Sequence, residues 1–239
     1  IMAVHLYGNP CDMNALKGFC DMKNIFLIED VAEAFGSTYE DQFLGTFGDV
    51  ASFSFFGNKT ITTGEGGMVV SNNKKFIDKV ESLKNQGASE NKYWYEEIGY
   101  NYRMTNICSA IGLSQIEQAD LILKRKKEIA AIYKDELNEC PLDFQKTQIN
   151  GVSSYWLFSV LTEDKNVRDD LSNFLNKSGV ETRPLFYPAH TMPMYKFEGS
   201  FPVSQSLSDR GMNLPSFPDL SNEDVVKIST LIKEFFRLV

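Results

Sequence analysis

The run Ile25-Phe26-Leu27-Ile28, apolar without interruption and closed by Glu29-Asp30, narrows the choice of folds more than any other stretch of the chain. A strand solvated on one face alternates apolar and polar residues. An unbroken run reads as a strand covered on both faces, in a parallel sheet flanked by helices. The neighbouring segments agree. Ile1–Tyr7 reads as an opening strand, and Gly8-Asn9-Pro10 breaks it. Residues 12–23 predict a helix with Met13, Leu16, Phe19 and Cys20 on one face. Val50–Phe56 and Gly67–Ser71 predict further strands, and 74–84 a helix with Phe76, Ile77, Val80 and Leu83 inward and Gly87 just past its end. Residues 105–139 predict one long helix or two abutting ones. They begin small and apolar (Ile107 to Leu113) and continue as Lys124-Arg125-Lys126-Lys127-Glu128, which reads as a solvated face. That change in composition places a domain boundary between 1–122 and 123–239. Beyond it, Ser154–Leu161 predicts a strand, 167–177 a helix ending at Gly179, and Val180–Arg183 a short strand. Pro184, Pro188 and Pro193 mark an irregular segment. Ser221-Asn222-Glu223-Asp224 forms a near capping box for a last helix with Val225, Ile228, Leu231, Ile232 and Phe235 inward. The expectation is a larger α/β unit followed by a smaller α+β unit.

Composition removes several function classes. The chain of 239 residues, 43% hydrophobic and 23% charged, has the mix of an ordinary globular enzyme. A net charge of −8 opposes broad binding to nucleic acid or anionic membrane, although local backbone donors can still hold a phosphate. The longest apolar runs, such as Tyr155–Leu161, are too short to span a bilayer. The four cysteines and two histidines are scattered without metal-ligand spacing, so no metal is expected and a reduced, cytoplasmic setting is. The chain opens directly on a strand, which leads to the expectation that upstream sequence is missing.

The densest chemical cluster runs from Ser52 to Gly67. Lys59 stands between the aromatic strand Phe53-Ser54-Phe55-Phe56 and the glycines of Gly64-Glu65-Gly66-Gly67. In a water-poor pocket a lysine loses its preference for the ammonium form and becomes a nucleophile. Nearby hydroxyls and glycine amides suit a phosphate. Gly57-Asn58-Lys59-Thr60 is not a P-loop, because that loop needs glycine where Asn58 and Phe53 stand. No dinucleotide fingerprint follows a strand either. Asp30, at the carboxyl end of a buried strand, points into the crevice where α/β folds bind ligands. A carboxylate there keeps a pyridine nitrogen protonated, so Lys59 and Asp30 together suit pyridoxal 5′-phosphate (PLP) chemistry.

Ile28-Glu29-Asp30-Val31-Ala32-Glu33-Ala34-Phe35-Gly36, Phe53 to Lys59, Gly64 to Gly67, Gly99-Tyr100-Asn101-Tyr102-Arg103-Met104-Thr105, the segment Thr182 to Tyr195 and Asn213-Leu214-Pro215-Ser216 together resemble the DegT–DnrJ–StrS sugar aminotransferases. The resemblance implies a three-layer fold-type-I PLP-transferase large domain, here partial, with a smaller α+β C-terminal domain. It implies Lys59 as the cofactor-bonding lysine and proton shuttle, Asp30 against the pyridine nitrogen and Ser54 on the phosphate. Glu33 falls where many members carry glutamine or histidine against the ring. Asn101 corresponds to an asparagine reaching the neighbouring subunit's phosphate, which implies a homodimer with shared sites. Arg183, Phe186, Tyr187 and His190 fall in the segment lining the sugar–nucleotide site. The details are closest to members that move an amino group from glutamate to C4 of GDP-4-keto-6-deoxymannose for polysaccharide biosynthesis. The family also implies upstream sequence of roughly a hundred residues or more, the remainder of a large domain at the upper end of ordinary domain size. The expectation follows that the chain without it binds PLP poorly and is inactive.

Plainer readings stand beside these. Lys59 on position alone is a solvated loop lysine, and Asp30 a turn acid or helix cap. Tyr100 and Tyr102 read as core or interface aromatics, His190 as a structural loop histidine, and Arg183 as half of a surface ion pair. Sugar 3-dehydratases of the same superfamily place histidine where Lys59 stands, so the lysine disfavours that chemistry. A non-catalytic regulatory relative or inactive fragment is the rival of a different class.

Overall fold

The structure is a computed structural model that describes residues 1–195 and 199–238. The chain divides into two compact units, Ile1–Lys124 with Thr147–Trp156, and Arg125–Lys146 with Leu157–Val239.

The first unit opens with β1 (Met2–Val4), a short 3-10 turn at Leu6–Gly8, and α1 (Met13–Lys23). The Asp12 side chain accepts the Ala15 N–H at 3.0 Å and so satisfies one of the orphan donors of α1, which ends at Asn24 in the left-handed region. The strands β2 (Ile28–Asp30), β3 (Thr38–Tyr39), β4 (Gln42–Phe43), β5 (Val50–Ser54) and β6 (Gly67–Val70) follow. The main sheet has the order β1-β2-β5-β6, with β1, β2 and β5 parallel and β6 antiparallel to β5.

The expected strand over 25–28 begins only at Ile28. Asp49 holds Leu27 from both sides: its Oδ2 accepts the Leu27 N–H and its N–H donates to the Leu27 carbonyl, each at 2.8 Å. The Ile25 N–H is drawn back to the Cys20 carbonyl at the end of α1. Within the run Leu27 is buried whereas Ile25 and Phe26 are exposed, so it is not covered on both faces in this chain. Leu27 joins Met13, Cys20, Val31, Ala34 and Ala51 in the core cluster, while Met2 and Val4, on the other face of β1, are exposed.

The helices α2 (Lys74–Lys84), α3 (Asn106–Glu117) and α4 (Ala119–Glu136) complete this stretch. The long helical segment is two helices abutting at Gln118, and Thr105 Oγ1 caps α3 by accepting the Cys108 N–H. The expected inward residues of α2 (Phe76, Ile77, Val80 and Leu83) are half-buried. The chain then forms β7 (Asp143–Phe144) in the second unit before 147–156 rejoins the first, where β8 (Gly151–Val152) pairs with β3 to give the sheet β4-β3-β8.

The second unit continues with β9 (Phe158–Leu161), α5 (Lys165–Lys177), β10 (Arg183–Pro184), α6 (Pro202–Arg210), β11 (Gly211–Leu214) and α7 (Asn222–Leu238). Its sheet, β10-β11-β9-β7, is antiparallel throughout, and α5 packs against α6, α7 and β11. Tyr133 stacks on Phe158 at 4.9 Å in a core shared with Leu171, Leu175 and Ile232. Ser221 Oγ accepts the Asp224 N–H and donates to the Asp224 carboxylate, so the near capping box does cap α7. The lysine run is not a solvated face at its centre. Lys126 is buried and donates to the Ser216 carbonyl at 2.9 Å, and burial pulls its pKa down to about 8. Arg125 beside it donates to Asn222 and to the Leu220 carbonyl.

Candidate active site

The site starts from two parallel strand ends. Asp30 closes β2 and lies opposite Ser52 of β5, so Ser54, two residues further along β5, ends its strand on the same side. The Val31 N–H reaches the Ser52 carbonyl at 2.9 Å, one rung beyond β2 on β5, and the chain then turns at Ala32, whose N–H Asp30 Oδ1 accepts at 3.0 Å. Glu33 lies on that turn and its Oε2 accepts the Tyr7 N–H at 2.8 Å. Tyr7 carries φ 57 in the left-handed region, a strain that its surroundings must hold in place. Gly8 beside it has φ +91, and a Cβ there would lie 2.8 Å from Ser154 Oγ.

Beyond β5 the chain closes into a loop that presents Lys59. The Phe55 N–H donates to the Gly66 carbonyl at 2.9 Å, the Phe55 carbonyl accepts the Thr63 N–H at 2.9 Å, and the Lys59 N–H donates to the Phe56 carbonyl at 3.0 Å. Gly66 has φ +145, and a Cβ would stand 2.7 Å from Thr63 Oγ1, so only glycine closes the loop without strain. Lys59 Nζ is 3.9 Å from Glu33 Oε1, and both side chains are only 14% exposed. The Trp156 ring lies under the same amine with its centroid 4.0 Å from Nζ, and the Trp156 Nε1–H donates to the Asn58 carbonyl at 2.7 Å.

Burial lowers the pKa of Lys59, and the carboxylates of Glu33 and Asp30 oppose that fall without cancelling it. Burial raises the pKa of Glu33, opposed by the Tyr7 N–H and the Lys59 charge and assisted by Asp30. Both members of the pair are therefore displaced toward their neutral forms. An amine so placed offers its lone pair at a lower pH than a surface lysine does. The arrangement can form a covalent bond to a carbonyl carbon and carry a proton at Nζ.

The structure brings Lys59, Glu33 and Asp30 together, with Ser54 at the adjoining strand end; Ser54 Oγ accepts the Phe56 N–H at 3.4 Å. Asn101 is exposed and forms an isolated bridge with Asn85, and among the described contacts no hydrogen bond joins it to Lys59, Glu33 or Asp30. Tyr100 and Tyr102 are exposed and stacked on each other at 5.0 Å, so neither is a core residue of this chain. Arg183, Phe186, Tyr187 and His190 belong to the second unit and are exposed there, apart from His190, which is half-buried and tilted against Phe201 at 4.7 Å. Arg183 Nε is 3.4 Å from Glu181 Oε1, the surface pair that its plainer reading expects. Sequence reasoning missed Tyr7 and Trp156. The only signal for Trp156 is its rarity, as one of two tryptophans in the chain.

Residues 1–233 match the model of the DegT/DnrJ/EryC1/StrS aminotransferase family. GDP-perosamine synthase of Escherichia coli O157:H7 is 53% identical over 99% of this chain and 65% of its own length. The GDP-perosamine synthase of Vibrio cholerae is 49% identical over 100% of this chain and 67% of its own. The chain thus spans about two thirds of the length of the curated relatives it matches. A crystal structure of a DegT DnrJ EryC1 StrS aminotransferase from Brucella abortus superposes with a TM-score of 0.91 at 28% identity, covering 99% of this chain and 64% of that one. On its motifs, its lysine–carboxylate cluster and a match along nearly its whole length, the chain belongs to the DegT/DnrJ/EryC1/StrS aminotransferase family.

Proposed function

We propose that this chain supplies the reactive lysine and cofactor cradle of a PLP-dependent enzyme that moves the amino group of glutamate to C4 of a GDP-linked 4-keto-6-deoxy sugar, the perosamine-forming reaction. The observation that carries the proposal is the half-dry amine of Lys59 held 3.9 Å from Glu33 and within the field of Asp30. Its likeness to two GDP-perosamine synthases at about half identity supports the choice of sugar and nucleotide.

The donor set fits PLP: an amine for its carbonyl, a carboxylate at the end of β2 for its ring nitrogen, and a hydroxyl at the end of β5 for its phosphate. When bound, PLP supplies an electron sink that lets an amino group be carried from donor to acceptor. Lys59 would hold the cofactor through Nζ, and the same amine would carry the proton to and from the reacting carbon. The Asp30 carboxylate would keep the cofactor's ring nitrogen protonated. Glu33, pushed toward its neutral form, can donate a hydrogen bond as well as accept one. Arg183, Phe186, Tyr187 and His190 form the proposed sugar–nucleotide contacts, and Asn101 the proposed contact to a second copy's phosphate in a homodimer. The four free cysteines are in keeping with the proposed cytoplasmic setting. No helix among the described residues is long and apolar enough to cross a membrane.

Incubating the full-length protein with glutamate and GDP-4-keto-6-deoxymannose should give 2-oxoglutarate and a 4-amino sugar of the matching mass. Lys59→Ala should lower turnover at least about a thousandfold, the scale of a lost acid–base group. Retained transfer in that variant refutes the role of Lys59, and loss of a hydroxyl without gain of nitrogen would instead favour the dehydratase chemistry.

A further inference from the structure

We infer that Trp156 is a positioning residue for Lys59, whose indole face seats the ammonium form of the amine whenever that amine is not covalently engaged. The inference rests on the proposed role of Lys59 and deepens it.

Four contacts close a ring around the amine. Lys59 Nζ lies 4.0 Å from the Trp156 ring centroid. Trp156 and Tyr7 are stacked, with centroids 6.1 Å apart and planes 15° from parallel. The Tyr7 N–H is bonded to Glu33 Oε2, and Glu33 Oε1 is 3.9 Å from Nζ. Trp156 also grips the backbone beside the lysine through its N–H to the Asn58 carbonyl at 2.7 Å, so one side chain fixes both ends of residue 59. Trp156 is itself 4% exposed, which makes it a fixed wall and not a mobile flap.

The two partners of the amine differ in chemistry. Glu33 can share or accept a proton. An indole face attracts a cation through its quadrupole, accepts no proton at this pH, and has no such attraction for a neutral amine. Trp156 therefore holds Lys59 in its charged form and releases it when the proton leaves. Burial favours the neutral amine, so the indole face keeps Lys59 poised between its two states instead of permanently discharged.

Fluorination of tryptophan tests this without changing packing. Fluorine withdraws electron density from the ring and weakens the cation–π contact, yet makes the indole N–H a better donor to the Asn58 carbonyl. On a Trp94→Phe background, where the other tryptophan is exposed, the full chain would be produced with tryptophan, 5-fluorotryptophan or 5,7-difluorotryptophan. The cofactor would be removed, and trace acetylation of Lys59 followed against pH by peptide mass spectrometry. The midpoint should fall stepwise with each fluorine, by a few tenths of a pH unit (~0.3) per step on the scale of a partly desolvated cation–π contact. Trp156→Phe, which keeps a ring face but no N–H, should lie closer to the parent than Trp156→Leu. A midpoint indifferent to fluorine, or equal in the phenylalanine and leucine variants, overturns the inference. Failure of the catalytic reading itself would show separately, as retained transfer in Lys59→Ala while the fluorinated forms that keep Lys59 still show the labelling shift.

Discussion

Lys59 and Glu33 are oppositely charged partners 3.9 Å apart, and in open water such a pair would hold both charges. Here burial outweighs the attraction at each end, which leaves the amine easier to discharge and the carboxyl easier to protonate. Removing the carboxylate should therefore lower the Lys59 pKa further. Glu33→Gln is expected to move the pH midpoint of Lys59 acetylation down by roughly half a unit to one unit, since one unit is about 1.4 kcal/mol. An upward movement would contradict this balance. Lys59 and Asp30 were legible in the sequence because each sits in a short local motif beside a strand end. Trp156 was not, because it meets Asn58 across a separation of 98 residues and nothing in the spacing announces that contact.

At the scale of elements, the first sheet is tied together under the site by a buried carboxylate. Glu29 of β2 is fully buried and accepts N–H groups from Gly45 at 2.8 Å, Phe47 at 2.8 Å and Gly48 at 2.7 Å. His5, whose Nδ1 accepts the Cys11 N–H, turns its Nε2 to Glu29 at 3.4 Å. Burial alone would raise the Glu29 pKa, but these donors reverse that and hold it below its ordinary value of 4.5. A carboxylate with a depressed folded pKa contributes stability above its unfolded pKa and loses it as the pH falls through the folded one. Stability should thus decline below about pH 4.5, and Glu29→Gln should flatten that decline while costing about 2–4 kcal/mol at neutral pH. Denaturant melts of both proteins from pH 3 to pH 7 check the sign, and an unchanged acid limb in the variant would count against it. Asp164 takes the N–H groups of Asn166 and Val167 at the start of α5, so Asp164→Ala should cost about 1 kcal/mol in the same melts. Helices with caps and one apolar face were readable nearly to the residue, as at 74–84. The start of β2 was not, because the clamp by Asp49 comes from a residue with no visible claim on Leu27.

For the whole molecule, the segment 147–156 belongs to the first unit although the sequence on either side of it belongs to the second. That return brings Trp156 to the amine and β8 to β3. No change in composition marks it. The proposed homodimer with shared sites has a direct consequence. Protomers carrying Lys59→Ala and protomers carrying Asn101→Ala, each with little activity alone, should regain transfer when mixed and reassembled, because one site in the hybrid keeps both residues. No recovery, with hybrids demonstrated by mass, would confine Asn101 to its own subunit or remove it from the site.

The central claim is a covalent bond at one nitrogen. Full-length protein incubated with PLP, reduced with borohydride and digested should carry the pyridoxyl mass on the peptide containing Lys59, and glutamate added before reduction should diminish that label. A folded protein that labels elsewhere, or not at all, contradicts the account.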